Sequence, residues 1–139
     1  MKIILVSHGK LAKGMKDTVE MIAGKQDNLE AYEAYEHGTS DERFIAQVKK
    51  SIYANRGNDV IIVTDLLGGS VNNEMVRLLE GRENLFLMTG MNLPLIMTLI
   101  TTVNETFNEE TILSAIGEGK QGVLFVNKLM NEKDEGDLL

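Results

Sequence analysis

The chain contains no cysteine, which excludes disulfides, thiolate nucleophiles and cysteine-ligated metals. Positive charge is also scarce: 14 Lys and Arg face 21 Asp and Glu, a formal net charge of −7. That balance argues against nucleic acid or an anionic membrane as the main partner. No stretch approaches the roughly 20 apolar residues of a membrane span. The first apolar run, Ile3–Val6, is short and leads directly into a polar segment, so no signal-peptide pattern is present. A cytoplasmic protein without membrane insertion is expected. Nucleotide signatures are missing too. No glycine-and-lysine phosphate loop occurs, and no GxGxxG follows the first strand. No cofactor and no metal are expected.

What remains is an ordinary soluble composition, 43% hydrophobic and 25% charged over 139 residues. One domain with a proper core follows. The organising stretch is residues 1–10, MKIILVSHGK. Ile3, Ile4, Leu5 and Val6 read as a strand buried on both faces, the pattern of a central parallel strand. The strand ends at His8, one of only two histidines, and Gly9 gives the backbone room to turn.

Leu11, Met15, Val19 and Ile22 then repeat at helical spacing, with Gly24 just past the helix end. That helix begins beside His8, and its amino terminus favours an anion. Leu29–Glu36 alternates as a more exposed strand. Thr39 and Glu42 form a candidate capping box before a helix carrying Phe44, Ile45, Val48 and Ile52. Residues 60–65, VIIVTD, make a third strand as apolar as the first, ending in Asp65. Leu66-Leu67-Gly68-Gly69-Ser70 follows, with Ser70 placed to cap the helix carrying Val71, Met75, Leu78 and Leu79. Leu85–Met88 supplies a fourth strand, which runs into Thr89-Gly90-Met91-Asn92-Leu93-Pro94. The only proline, Pro94, fits the opening turn of a helix. A further helix starts near Asn108 and is expected to break at Gly117 and Gly119. Val123–Val126 reads as a short final edge strand. Residues 1–126 therefore form the domain, and residues 127–139 a charged carboxy-terminal tail or linker.

Strands alternating with helices predict an α/β fold: an open, mostly parallel, doubly wound sheet with helices on both faces. With strands one and three as central neighbours, the order is 2-1-3-4, and the ligand crevice lies between their carboxyl ends. His8 and Asp65 meet there. A carboxylate that accepts from one ring nitrogen fixes the tautomer and leaves the other nitrogen as a nucleophile. Gly68 and Gly69 let backbone N–H groups point inward, and Ser70 adds a hydroxyl; these parts suit a phosphoryl group. His37 lacks such a setting and reads as a solvated turn residue. Met88, Met91 and Met97 fit core packing or a soft partner surface better than metal binding. Asp134, Glu135 and Asp137 read as a solvated tail.

SHG at residues 7–9, TDLLGGS at residues 64–70 and GMNLP at residues 90–94 resemble the three signature loops of mannose-family (mannose/fructose/sorbose) enzyme IIA. That family carries phosphoryl groups in the bacterial phosphoenolpyruvate-dependent sugar phosphotransferase system. The resemblance implies that His8 accepts phosphate on Nε2 from the histidine-containing phosphocarrier protein and passes it to a IIB component for sugar uptake. It implies that Asp65 orients the ring and that Gly68, Gly69 and Ser70 hold the phosphoryl oxygens. Gly9, Leu67, Met91, Asn92 and Pro94 would wall the site. It also implies a homodimer in which the final strand is exchanged. Some family members carry tryptophan where this chain has Leu67, a departure that bears on sugar class and partner preference. Two other readings stand beside it: the phosphoryl-donor subunit of a dihydroxyacetone kinase, and a non-catalytic flavodoxin-like signalling module. A receiver domain needs an acidic cluster at the end of strand one, where this chain has Ser7-His8.

Overall fold

Residues 3–7 have no solvent exposure at all, and the architecture is built outward from them. A computed structural model describes residues 1–35, 43–102 and 107–132. Its elements in chain order are β1 (Lys2–His8), α1 (Leu11–Ala23), β2 (Leu29–Ala34), α2 (Arg43–Ala54), β3 (Val60–Thr64), α3 (Ser70–Arg77), β4 (Leu85–Thr89), α4 (Leu93–Thr101), α5 (Glu109–Gln121) and α6 (Val126–Glu132). His37, the Thr39–Glu42 capping box and Asp134, Glu135 and Asp137 lie outside the described residues.

The strands form one sheet in the order β2-β1-β3-β4, every pair parallel. This is the predicted order. The two-residue period of a strand sends alternate side chains to opposite faces. Ile3 and Leu5 of β1 join Ile61 and Val63 of β3 beneath α1, α4 and α5. Ile4 and Val6 join Val60 and Ile62 beneath α2 and α3. Each fully buried aliphatic side chain contributes about 1.5–3 kcal/mol. The two central strands are therefore apolar in runs rather than in alternation because neither face meets water.

Register fixes the geometry at the carboxyl edge. His8 of β1 lies opposite Ala34 of β2, and Val6 lies opposite Thr64 of β3. Asp65 is thus the first residue beyond the β1–β3 ladder, beside the end of β1. On the far side of β3, Thr64 pairs with Thr89, so the Gly90–Pro94 segment leaves from the same edge. Pro94 lies in the first turn of α4, with Asn92 as its cap, accepting from Leu95 N at 2.9 Å.

Three features depart from the sequence reading. Asn108 and Thr111 form a reciprocal capping box at the start of α5, but the helix then runs through Gly117 and Gly119 to Gln121 without a break. Close packing explains Gly119: a Cβ there would stand 3.0 Å from Leu95 Cβ. Asn92 Nδ2 also donates to the Gly119 carbonyl at 2.8 Å. Glycine brings α5 onto α4 rather than ending it. The second departure is the final edge strand. Residues 123–125 have no regular structure, Val126 opens α6, and the described sheet ends at β4. An apolar run becomes a strand only with a ladder partner in reach. Here Gly122 is pressed on Pro94, and Val123 lines a cleft with Thr89, Gly90, Asn92 and Lys120. Third, residues 127–132 of the expected tail or linker are helical, with no buried residue in α6.

The glycines of α5 and its cap are expected to respond in opposite directions. A Cβ at Gly117 would meet nothing within 4 Å, whereas one at Gly122 would fall 2.4 Å from Pro94 Cγ. Gly117→Ala should raise stability by about 0.5–1 kcal/mol through helix propensity. Gly122→Ala should lower it by about 1–3 kcal/mol, because the proline ring cannot yield. Denaturant unfolding of the two variants checks both signs.

Candidate functional site

His8 and Asp65 stand 57 residues apart in sequence and touch in the fold. The carboxylate Oδ2 accepts from the His8 backbone N–H at 2.9 Å and pairs with the ring Nδ1 at 2.7 Å. A carboxylate offers only acceptors, so the neutral imidazole must hold its proton on Nδ1, which leaves the lone pair on Nε2. The other oxygen, Oδ1, accepts from Leu66 N at 3.0 Å. Burial alone would push the Asp65 carboxyl up. Donation from the His8 backbone and ring, attraction to the imidazole and the Leu66 N–H outweigh burial and hold it below its ordinary value. The two side chains differ in exposure, 9% for Asp65 and 43% for His8. The carboxylate is largely enclosed, and the imidazole is open to solvent on part of its surface.

The loops around the ring follow from two backbone constraints. Gly9 has φ +53° and Gly68 φ +77°, the left-handed region that glycine enters without steric cost. They turn the chain sharply after β1 and after Leu67. Gly69 lies against the imidazole, since a Cβ there would be 3.5 Å from His8 Cε1. It is Gly69, extended at φ −72° and ψ 161°, that occupies the cap position of α3. Ser70 is the first helical residue and makes no side-chain capping bond, which corrects its expected capping role. Its hydroxyl is instead turned to the ring, with Oγ 3.4 Å from His8 Nε2. That distance lies beyond a normal hydrogen bond. The Nε2 lone pair is therefore only loosely engaged, beside a helix amino terminus that favours anions.

Ser7 accepts from Ala12 N at 2.7 Å and is fully buried. Thr64, also fully buried, is hydrogen-bonded to Asn72 Oδ1 at 2.9 Å and to Thr89 Oγ1 at 2.8 Å. These two hydroxyls tie the ends of β1 and β3 to the helices that follow them. The remaining candidates sit further out. Leu67 is exposed, and Met91 packs at the margin of the core. Asn92 and Pro94 are engaged with α5 through Gly119 and Gly122. The structure thus gathers His8, Asp65, Gly69 and Ser70, and assigns Asn92 and Pro94 to helix packing.

Tyr35 is the residue at this edge that the motifs above do not mark. It has φ +56°, the only positive value at a non-glycine position among the described residues, a conformation that costs about 1–2 kcal/mol. Its ring centroid lies 5.5 Å from that of His8 at an interplanar angle of 34°. Behind it, Phe44 packs edge-on at 5.7 Å. Parallel register carries the signal: a residue following Ala34 must leave the sheet beside His8.

Replacing the carboxylate should change both the ring and the acid limb of stability. In Asp65→Asn, nitrogen NMR of the imidazole should show the proton moving from Nδ1 towards Nε2. Losing the charge-assisted bonds should cost about 1.5–3 kcal/mol at neutral pH. The folded-state carboxyl titrates below its unfolded value. Its contribution is therefore complete above about pH 4 and is lost as pH falls through the lowered value. The variant should lack that part of the acid-side decline when unfolding is followed from pH 6 to 2.

Residues 2–116 match a family model described as PTS system fructose IIA component. The mannose-specific EIIAB component of Escherichia coli (strain K12) is 27% identical over 125 residues, covering 87% of this chain. The chain spans only 38% of that protein's length. The sorbose-specific EIIA component of Lacticaseibacillus casei is 27% identical over 104 residues, 75% of each chain. Among solved structures, the IIA protein associated with the fucose utilization operon of Streptococcus pneumoniae superposes with a TM-score of 0.81. It is 26% identical, with 93% of this chain and 95% of that one covered. The family match runs through both central strands and both loops that meet at His8, and the chain belongs to the mannose-type family of phosphotransferase-system IIA components.

Proposed function

We propose that His8 is the phosphoryl acceptor and donor of a sugar phosphotransferase system. The observation that carries this reading is an Nδ1 held by Asp65 at 2.7 Å on a ring whose Nε2 faces an open, donor-lined edge. Nε2 attacks the phosphorus of the histidine-containing phosphocarrier protein. The new N–P bond forms as the donor's N–P bond breaks, and the donor imidazole leaves with the electron pair. Asp65 stabilises the positive charge that the His8 ring gains. Ser70 Oγ and the N–H groups of Gly68, Gly69 and the first turn of α3 receive the phosphoryl oxygens. The reverse attack by a nucleophile of a IIB component discharges the ring for sugar uptake. The setting is the cytoplasm; no helix among the described residues is long and apolar enough to cross a membrane.

The same reading makes the protein a homodimer. Val123, Leu124 and Phe125 are exposed, and β4 ends the described sheet with its outer edge unpaired. An apolar run and an unpaired edge invite pairing between copies, so the segment that is not a strand within one chain becomes one on its partner's sheet.

Incubation with phosphoenolpyruvate, enzyme I and the histidine-containing phosphocarrier protein should place one acid-labile phosphate on the chain. His8→Ala should abolish it and His37→Ala should keep it; normal labelling of the His8 variant would overturn the assignment. Asp65→Asn should slow transfer by roughly 10²–10⁴-fold in rapid-quench measurements.

Light scattering at tens of micromolar should report a dimer, and truncation after Gly122 should yield monomers or aggregates. A monomeric full chain removes the exchanged strand from the proposal.

A further inference from the structure

Three sides of the His8 ring are accounted for by the site as described: Asp65 at Nδ1, Gly69 near Cε1 and Ser70 beside Nε2. These three neighbours are placed at individual ring atoms, Nδ1, Cε1 and Nε2. A half-exposed imidazole held by one hydrogen bond retains freedom about its terminal torsion, whose energy wells are broad. Phosphoryl transfer needs the attacking nitrogen held within about 0.5 Å and 10–20° of its productive geometry. The group that supplies the missing contact is Tyr35, with its ring centroid 5.5 Å away and tilted 34°.

Two independent features show that this contact is built in. The first is backbone strain. At φ +56° the chain leaves the extended conformation immediately after Ala34, the β2 residue opposite His8. Glycine would adopt that conformation freely, so the tyrosine persists there only because its surroundings over-determine it. The second is the support behind it. Phe44, 1% exposed in the core between the sheet and α2 and α3, meets the Tyr35 ring edge-on at 5.7 Å. The stack runs from the core through Phe44 and Tyr35 to the imidazole, and passes the rigidity of the core to the reactive ring.

We propose that Tyr35 is a positioning residue for His8, its ring packing on the imidazole so that Nε2 is presented towards Ser70 and the start of α3. The role belongs to the aromatic ring rather than to the hydroxyl, and it rests on the phosphocarrier reading of His8. It also narrows partner choice. An aromatic wall on the β2 side leaves the incoming phosphoryl donor to approach from the side of Leu66 and Leu67, both of which are exposed.

Two variants separate the ring from the backbone. Tyr35→Phe keeps the ring; Tyr35→Gly removes it and relieves the positive-φ strain. In the unphosphorylated protein, Tyr35→Phe should keep aromatic-to-imidazole nuclear Overhauser contacts and the wild-type His8 line shape. Tyr35→Gly should give a motionally averaged His8 ring. In phosphoryl uptake from the histidine-containing phosphocarrier protein, Tyr35→Phe should stay within about twofold of wild type. Tyr35→Gly should lose kcat by about 10- to 100-fold at unchanged KM, the scale of a misaligned attacking group. A merely structural role would lower the melting temperature and leave kcat per folded molecule intact. Wild-type kcat in Tyr35→Gly, or an equal loss in Tyr35→Phe, overturns the proposal. If wild-type His8 takes no phosphate, the phosphocarrier reading falls by itself. The resonance arm still decides the packing, and identical His8 signals in wild type and Tyr35→Gly overturn it.

Discussion

The pairing of β1 with β3 is the constraint on which everything else in this protein depends. Both strands are buried on both faces, and parallel register brings their carboxyl ends to one edge. The aliphatic side chains buried between the two helical layers contribute about 1.5–3 kcal/mol each. A charge-assisted hydrogen bond at the edge contributes at most a similar amount once. Core packing therefore sets where His8 and Asp65 lie, and their contact is a result of the sheet rather than a cause of it.

Each central strand ends on the same device. Ser7 and Thr64 are the last buried residues of β1 and β3, and each places a hydroxyl where the apolar core gives way to polar chemistry. Ser7 receives the N–H of Ala12 in α1; Thr64 binds Asn72 in α3 and Thr89 at the end of β4. The residue immediately after each hydroxyl is a candidate site residue, His8 or Asp65. A strand, a hydrogen-bonded buried hydroxyl and a pinned helix together hold each of these side chains from behind. A buried hydroxyl without a partner would instead destabilise the edge it now stiffens.

How much of this was legible in the sequence follows from the range of the forces involved. Continuous apolar runs at Ile3–Val6 and Val60–Val63 announce central strands, and their order places His8 beside Asp65 without any contact being known. Several of the misreadings depend on a tertiary neighbour that local pattern does not contain. Gly119 looks like a helix breaker until α4 is seen lying against α5, where it lets Leu95 and Asn92 come close. Val123–Val126 has the composition of a strand but no ladder partner among the described residues. Ser70 has the right residue type for a cap, yet Gly69 takes that position and the hydroxyl turns to the imidazole. Tyr35 was invisible because positive φ at a tyrosine has no local signature; only the register of β2 on β1 reveals it.

The 57-residue separation between His8 and Asp65 has a consequence for the order of events as the chain folds. Local helices form within microseconds, whereas parallel pairing of distant strands must first meet the entropy of closing the loop between them. A chain whose helices have formed but whose first strand still lacks β3 carries a histidine with no carboxylate against it. The imidazole acquires its carboxylate partner only when β1 pairs with β3. In the proposed phosphocarrier role, the ring is therefore oriented by long-range topology and not by its local sequence.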